Sequence, residues 1–266
     1  MSGNTVFLKL GGSLITVKNQ PYTPRLDVLE RLSQEIAQAR TQDRGLRIIL
    51  GHGSGSFGHV PASKYKTRLG VKSVEEWIGF TEVWRQAAEL NRLVMQALGN
   101  ANLPALAFSP SAMVITDQGK VAKWNLDPLQ HALEKGLLPV VYGDVVFDLK
   151  LGGTILSTED IFAHLAQYFH PTRLLLAGIE LGVWEDFPGN TSLVPVITHR
   201  NLPQIETGLR GSAATDVTGG MADKVKQVMT MIEMVPGLTA SIFSGEIPGN
   251  VRRVLLGETL GTEIRG

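Results

Sequence analysis

Short apolar segments with strand character alternate with amphipathic helical segments along most of this chain. Residues 6–10 are apolar enough for a buried strand, and residues 47–50 repeat that character after a segment with helical spacing of its apolar residues. We place the start of that helix at Thr23 and Pro24, as N-cap and first helical residue. Strands that alternate with helices predict a mostly parallel sheet with helices on both faces. The fold class is therefore α/β, a three-layer α/β/α sandwich.

Two local signals further along the chain fix other elements. Residues 73–76 (SVEE) form a capping box that opens a helix ending at Gly99 and Asn100. Residues 147–150 and 154–156 predict a hairpin around Gly152 and Gly153. The alternation continues to the end, so we expect one continuous sheet, with a boundary between two lobes near residues 155–170.

The composition excludes several classes of partner. The chain has 266 residues, and its 25 basic and 25 acidic residues cancel, which gives no electrostatic reason to expect nucleic acid or an anionic membrane as partner. It has no cysteine, which excludes disulfides, thiolate metal sites and a cysteine nucleophile. We see neither a signal peptide nor an apolar run of the roughly 18–20 residues that a membrane span needs. We expect a cytoplasmic protein.

Three glycine-rich segments border the predicted strands and helices. They are residues 9–13 (KLGGS) with Lys18 shortly after, residues 51–59 (GHGSGSFGH), which we expect to form a loop after the second strand, and residues 216–221 (DVTGGM) followed by Lys224. Glycines let backbone N–H groups approach an anion, and a helix N-terminus adds favourable potential. Each segment also has a simpler interpretation, as a tight turn with solvated lysines or as a threonine-capped helix. Together they favour binding of phosphate groups.

The second segment contains a formal G-x-G-x-x-G at Gly53, Gly55 and Gly58. That pattern is typical of dinucleotide sites when it follows the first strand of the fold. Here it follows the second strand, and the acid about 20 positions on falls inside the capping box of a helix. The segment also lacks the lysine of a Walker A motif. A dinucleotide site and a P-loop are both disfavoured.

The motifs KLGGS with Lys18, GHGSGSFGH, GDVVFD and DVTGGMADK, in this order, resemble the amino acid kinase family over nearly the whole chain. Within it, His59 makes the chain most similar to the isopentenyl phosphate kinases, although fosfomycin kinases share that histidine. The resemblance implies a single amino acid kinase domain over residues 1–266. An acceptor-binding lobe would span about residues 1–160 and a nucleotide-binding lobe about residues 161–266. It also implies a homodimer.

The resemblance further implies the substrates and the residues that bind them. ATP would be the phosphoryl donor, with Mg²⁺, and the acceptor would be a small molecule that already carries a phosphate. No dedicated cluster of metal ligands is visible. The implied catalytic residues are His59, Lys18, Lys9 and Asp160, of which Asp160 would orient the lysines. The implied acceptor contacts are Gly53, Ser54, His59 and Thr158. The implied nucleotide contacts are Lys9, Leu10, Gly11, Gly12, Ser13, Gly55, Ile179, Gly220 and Lys224.

Two positions depart from the family pattern. Thr158 stands where the family usually has glycine, although its backbone amide could still meet the acceptor phosphate. Residues 178–184 (GIELGVW) replace a T-D-V-D-G-V-Y type run, so that Ile179 and Leu181 occupy the positions of two acids. Because neighbouring residues of an extended chain point to opposite sides, Glu180 cannot simply replace the first acid. We expect weaker discrimination between ATP and GTP, or a raised KM for ATP.

The sequence leaves several alternatives open. Trp77, Phe80 and Trp84 recur at helical spacing, which is more often a core stripe than a pocket for a hydrocarbon tail. The leading function is phosphoryl transfer from ATP to isopentenyl phosphate. A kinase of another phosphomonoester or of a phosphonate such as fosfomycin is the second. A nucleotide-binding regulator without turnover is the third, and a dinucleotide-dependent oxidoreductase is more distant.

Overall fold

A computed structural model describes residues 5–186, 188–205 and 220–266, and the backbone but not the side chain of His59. An eight-stranded sheet with the order β12-β14-β13-β9-β1-β2-β6-β3 forms its centre. Six of its seven neighbouring pairs are parallel, and β13 with β14 is antiparallel. The prediction of a mostly parallel sheet is confirmed.

The described strands are β1 (Thr5–Leu10), β2 (Arg47–His52), β3 (Ala105–Ala107), β4 (Val114–Asp117), β5 (Lys120–Trp124), β6 (Leu138–Tyr142), β7 (Asp144–Asp148), β8 (Gly152–Leu156), β9 (Arg173–Gly178), β10 (Val183–Trp184), β11 (Leu193–Val194), β12 (Val196–Ile197), β13 (Thr239–Ser244) and β14 (Thr262–Ile264). The helices used below are α1 (Gly12–Ile15), α2 (Leu26–Gln42), α3 (Gly55–Tyr65), α4 (Val74–Asn100), α5 (Pro110–Met113), α6 (Asp127–Glu134), α7 (Thr158–Phe169), α8 (Gly220–Met234) and α9 (Asn250–Leu255).

Alternation of side chains along the central strands builds two separate cores. Val6, Leu8 and Leu10 of β1 pack on one face with apolar residues of α2, α4 and α9. Phe7 packs on the other face with residues of α6, α7 and α8. Side chains of a strand alternate between faces, so β1 contributes to both cores. Lys9 lies on the face of Phe7, which directs it toward α7.

A second sheet with the order β5-β4-β7-β8 lies beside α4. The predicted hairpin is present, with β7 and β8 antiparallel, but its turn was misplaced: residues 149–151 join the strands, and Gly152 and Gly153 begin β8. Phe147 of β7 packs against Phe80 and Trp77 of α4, with ring centroids 5.4 and 5.9 Å apart. These contacts fix the hairpin to the helix that the capping box of Ser73 and Glu76 begins.

Two further local predictions are wrong. The helix predicted from Thr23 begins instead at Leu26, because Pro24 forms a β-bridge with Thr16 that holds this part of the chain extended. The glycine-rich segment 51–59 was expected to be a loop, but β2 runs to His52 and α3 begins at Gly55. In the parts of the chain that the structure describes, no helix is both long and apolar enough to cross a membrane.

Asp148 joins the two turns of the second sheet. Its carboxylate accepts hydrogen bonds from the amides of Gly119 and Leu151, both at 2.8 Å, and from the hydroxyl of Thr116 at 2.7 Å. The amides of Gln118 and Lys150 add two more. Desolvation alone would raise the pKa of Asp148, but these donors together hold that pKa well below its usual range. The side chain is 5% exposed.

We predict that Asp148→Asn lowers the free energy of unfolding by about 2–3 kcal/mol at pH 7, because an amide cannot accept from this many donors. A carboxyl group whose pKa is lower when folded than unfolded stabilises the fold above its unfolded pKa, and that stabilisation is lost as the pH falls toward the folded value. The difference between wild type and variant should therefore shrink below about pH 4.

Urea unfolding followed by circular dichroism at pH 7 and pH 3 measures both effects. Glu30→Gln, a carboxyl-to-amide change on the exposed side of α2, is the control and should leave stability nearly unchanged. Equal stability of Asp148→Asn and wild type at pH 7 would contradict the role of Asp148.

Candidate functional site

The carboxyl ends of β1, β2 and β9 meet at one edge of the central sheet. β1 lies between the other two strands and is parallel to both. The chain continues from β1 toward β2 and from β9 toward β13, on the opposite side. The strand order therefore reverses between β1 and β9, and in open α/β sheets ligands bind in the crevice at such a point.

The first two glycine-rich segments contact each other through their backbones at this edge. The amide of Gly53 donates to the carbonyl of Leu10 at 3.0 Å. A methyl group on Gly12 would lie 2.6 Å from Cα of Gly55, and one on Gly53 would lie 2.8 Å from the amide nitrogen of Gly12. Gly55 also has a φ of +48°, which side chains disfavour. Only glycine lets the two loops approach this closely.

Thr16 fastens these loops from one side. Its hydroxyl donates to the carbonyl of Gly12 at 2.8 Å and accepts from the amide of Ser56 at 3.0 Å. Lys18 follows in the turn that the bridge between Thr16 and Pro24 closes, and its side chain is exposed. The structure therefore places Lys18 in an exposed turn that follows α1.

An ion pair between Lys9 and Glu159 lies beneath the loops. The ammonium group of Lys9 donates to Oε1 of Glu159, and the two side chains are 11% and 15% exposed. Desolvation would raise the pKa of Glu159, but the charge and hydrogen bond of Lys9 outweigh it and, with a smaller contribution from Lys224, lower that pKa. Glu159 thus interacts with lysines from both halves of the chain.

From the sequence we predicted that Asp160 orients the lysines. In the structure the acid that contacts Lys9 is the neighbouring residue, Glu159, which the sequence analysis did not select. In the structure Asp160 caps α7: its carboxylate accepts from the amide and hydroxyl of Ser157, at 2.9 and 2.6 Å. It also pairs with the more exposed Arg68 at 3.1 Å. The spacing of Ser157 and Asp160 is that of a reciprocal cap. That spacing indicates that Asp160 faces the helix end, which leaves Glu159 to pair with Lys9.

The predicted acceptor residues gather around the amino ends of α3 and α7. Ser54 is the N-cap residue of α3. Thr158 begins α7 and is 2% exposed, and its hydroxyl donates to the carbonyl of His52 at 2.7 Å. His59 belongs to α3, but its side chain lies outside the described part of the structure.

The predicted nucleotide residues lie on either side of β1. Gly11 donates its amide to the carbonyl of Ala177 in β9 at 2.8 Å, which sets Gly11 and Gly12 against the end of β9, and Ser13 follows them in α1. Gly220 begins α8 with a φ of +65°, and Lys224 follows one turn later. Residues 216–219 of the third glycine segment lie outside the described residues.

Residues 178–184, the run in which we expected two acids to be missing, leave β9 with two exposed apolar side chains and one engaged acid. Ile179, the residue predicted to hold the nucleotide, is 42% exposed beyond the end of β9, and Leu181 is 45% exposed. Glu180 accepts a hydrogen bond from the indole N–H of Trp184 at 2.9 Å. The one acid left in this run is therefore engaged with a side chain of β10. Nucleotide selectivity stays a prediction.

The aromatic residues of α4 serve different purposes. Phe80 is buried in a small core with Val71, Val83 and Val145, and Trp77 packs edge-on against it with centroids 5.1 Å apart. Trp84 is 47% exposed and lines an open groove of about 300 Å³ between α4, α5 and β7. The residues lining this groove are Phe80, Thr81, Trp84, Ser111, Ala112 and Phe147.

The described geometry defines a class of protein. Two glycine loops in backbone contact, a shielded lysine held by a carboxylate and a second lysine at the start of α8 provide amides and positive charge for phosphate groups at one sheet edge. The profile of the amino acid kinase family matches residues 4–244. The chain belongs to the amino acid kinase family.

Particular relatives are similar over nearly their whole length. The chain is 34% identical to the isopentenyl phosphate kinase of Methanocaldococcus jannaschii, with 97% of each covered. It is also 34% identical to that of Methanothermobacter thermautotrophicus, over 98% of this chain and 99% of the relative. A crystal structure of isopentenyl phosphate kinase superposes with a TM-score of 0.81 at 30% identity, covering 98% of this chain and 99% of that one.

We predict that Gly12→Ala disrupts the contact between the glycine loops. Its methyl group would overlap the backbone of Gly55, and relief of such overpacking costs about 1–3 kcal/mol of folding free energy. Gly178→Ala is the matched control, because a methyl group there meets nothing within 4 Å. Urea unfolding compares the two. If Gly12→Ala were as stable as Gly178→Ala, the close approach of the loops would not constrain the fold.

Proposed function

We propose that this protein is an isopentenyl phosphate kinase, which transfers the γ-phosphate of ATP to isopentenyl phosphate and gives isopentenyl diphosphate and ADP. The observation that carries the proposal is the contact between the two glycine loops beside Lys9 and Glu159, in a chain similar to isopentenyl phosphate kinases over nearly its full length. Loops that touch through their backbones can bring two phosphate groups into reach of each other.

The chemistry requires positioning more than proton transfer. A phosphate monoester has a second pKa of about 6, so its oxygen is already anionic and needs no general base. Phosphoryl transfer is catalysed mainly by alignment and charge neutralisation. The amides of Gly12 and Gly55 would hold the phosphates of ATP, whereas the amide of Gly11, also predicted for this role, already donates to the carbonyl of Ala177. Lys9, Lys18 and Lys224 would offset the charge of the transferred group.

Glu159 fits this scheme as a positioning residue. Its carboxylate holds the ammonium group of Lys9 and is close enough to Lys224 for its pKa to respond to that charge. An ionised carboxylate between two lysines fixes where their charges lie without removing a proton from the acceptor. The lysines are then arranged before the substrates arrive, which lowers the cost of reorganisation in the transition state.

The acceptor side comprises Gly53, Ser54, His59 and the amide of Thr158. The side chain of Thr158 turns toward the carbonyl of His52, so its hydroxyl is used inside the protein and its amide begins α7. Helix N-termini favour anions. These residues belong to a lobe of about residues 1–160 that would bind the acceptor, and residues of about 161–266 would complete the nucleotide site, with Ile179, Gly220 and Lys224.

Mg²⁺ would enter together with ATP. Among the described residues there is no group of three or more histidine, cysteine or acidic side chains that could hold a metal ion. Mg²⁺ commonly keeps several waters and is bound largely by substrate phosphates, and when bound it would neutralise charge on the β- and γ-phosphates. The homodimer is proposed on the family resemblance alone, and the cytoplasmic location stays an expectation from the sequence.

We predict ADP release that depends on isopentenyl phosphate. ADP formation from ATP and Mg²⁺ is measured with isopentenyl phosphate, with fosfomycin and with buffer, and only the first should give rapid turnover. Turnover with fosfomycin alone would indicate the phosphonate kinase, and ATP binding without turnover would indicate a regulator.

His59→Ala should lose on the order of 2–4 kcal/mol of transition-state stabilisation while ATP binding stays close to normal.

A second prediction separates the two adjacent acids of α7. Glu159→Gln should lower kcat roughly 10- to 100-fold, or about 1.4–2.7 kcal/mol, because Lys9 loses its charged partner. Asp160→Asn weakens a helix cap and should instead lower the free energy of unfolding by about 0.5–2 kcal/mol, with kcat nearly unchanged. Steady-state kinetics and urea unfolding are run on both variants. The reverse pattern, with kcat lost in Asp160→Asn, would restore Asp160 as the residue that orients the lysines.

A further inference from the structure

His52 is a buried histidine that the proposed reaction does not use. It is the last residue of β2, directly before Gly53 and Ser54, which we call the acceptor loop, and it is 1% exposed. Its ring stacks on the ring of Tyr142 in β6, with centroids 5.3 Å apart and planes 7° from parallel. A phenylalanine could provide this packing equally well. The polar contacts of the imidazole therefore need a separate explanation.

Both ring nitrogens of His52 have polar partners. Nδ1 lies 3.2 Å from the carbonyl oxygen of Gly53, the next residue in the chain, and Nε2 lies 3.2 Å from the side-chain oxygen Oδ1 of Asn91 in α4. A carbonyl oxygen only accepts hydrogen bonds, so Nδ1 must carry a proton. Burial and the nearby charge of Lys9 lower the pKa of His52, which favours the neutral ring. Nε2 is then an acceptor, so the side-chain amide of Asn91 must be turned over to present its NH₂ group in place of Oδ1.

The backbone of His52 is tied as firmly as its ring. Its carbonyl accepts from the hydroxyl of Thr158 at 2.7 Å, at the first residue of α7. It also accepts from the amide of Gly143, which follows β6, at 3.4 Å. The next residue of α7 is Glu159, the partner of Lys9. His52 therefore connects α4 and β6 to the acceptor loop on one side and to the start of α7 on the other.

We propose that His52 is a positioning residue for phosphoryl transfer, in which Nδ1–H holds the carbonyl of Gly53 and so fixes the direction of the acceptor-loop amides that follow it. The peptide group that contains this carbonyl also contains the amide nitrogen of Ser54. Because a peptide unit is planar, the orientation of its C=O sets the orientation of its N–H. A hydrogen bond to the carbonyl of Gly53 thereby aims the amide of Ser54. This inference rests on the proposed function, in which Ser54 holds the acceptor phosphate; the amide of Gly53 itself donates to the carbonyl of Leu10.

His52→Asn and His52→Gln form a matched pair that tests the proposal. The amide nitrogen of asparagine can take the place of Nδ1 and reach Gly53, whereas that of glutamine takes the place of Nε2 and reaches Asn91. We expect His52→Asn to keep kcat/KM for the acceptor within roughly tenfold of wild type and His52→Gln to lose about 100-fold, the scale of a misplaced reactive group. The KM for ATP should change by less than about threefold in both.

The contrast separates positioning from stability. Glutamine fills more of the buried volume than asparagine, so His52→Gln should be at least as stable in urea unfolding. A purely structural role would make activity follow stability and leave His52→Gln the more active variant. That order, or equal losses in the two variants, would overturn the proposal.

The tautomer provides a second test on the wild-type protein, which decides the matter even if both variants fail to fold. Nitrogen-15 NMR of the histidine side chains should show His52 protonated at Nδ1 and unprotonated at Nε2 at neutral pH. A proton on Nε2 would exclude the hydrogen bond to Gly53 and overturn the proposal.

Wild-type transfer to isopentenyl phosphate is measured first. Failure there counts against the proposed function, whereas failure of the variant order in an active enzyme counts against His52 alone.

Discussion

The backbone contact between the two glycine loops is the constraint on which the rest of the site depends. The loops can touch only because Gly12, Gly53 and Gly55 carry no side chain at the point of approach. Parallel pairing of β1 with β2 brings the loops to the same sheet edge, and Thr16 then fastens them with two hydrogen bonds. The lysines and the helix N-termini are arranged around this contact. Substitution of any of the three glycines would therefore disturb both glycine loops together.

The charge of Lys9 is neutralised by a carboxylate inside the protein and not by solvent. Lys9 is shielded, and its partner Glu159 lies on the helix that packs against the same face of the sheet. The neighbouring acid, Asp160, satisfies the helix end and a more exposed arginine. Two adjacent carboxylates thus have separate tasks because successive residues of a helix point about 100° apart. The buried hydroxyl of Thr158 is not left unpaired, since the carbonyl of His52 accepts from it.

Much of the fold could be predicted from local patterns, because alternating strands and helices with both faces covered leave few architectures. The errors arose where distant contacts decide local structure. Thr23 and Pro24 resemble a helix start, but pairing with Thr16 keeps Pro24 extended. Gly55 begins a helix although glycine is a poor helix former, because the contact with the first loop holds it there. For the site, the glycine segments and lysines were visible in the sequence. Glu159 was missed because two acids in one helical turn look alike until the cap is considered.

Because of the loop contact, a ligand that binds both glycine loops would bind only the folded protein. Gly12 and Gly53 are far apart in the chain and meet only when β1 and β2 are paired, so neither half of the site is complete in a chain that has lost its central sheet. A ligand that bridges the loops then binds the native state alone. By mass action it raises the melting temperature of the whole sheet in proportion to the logarithm of its concentration over its Kd. Thermal shift can thus rank candidate acceptors without any turnover, including those that bind but are never phosphorylated.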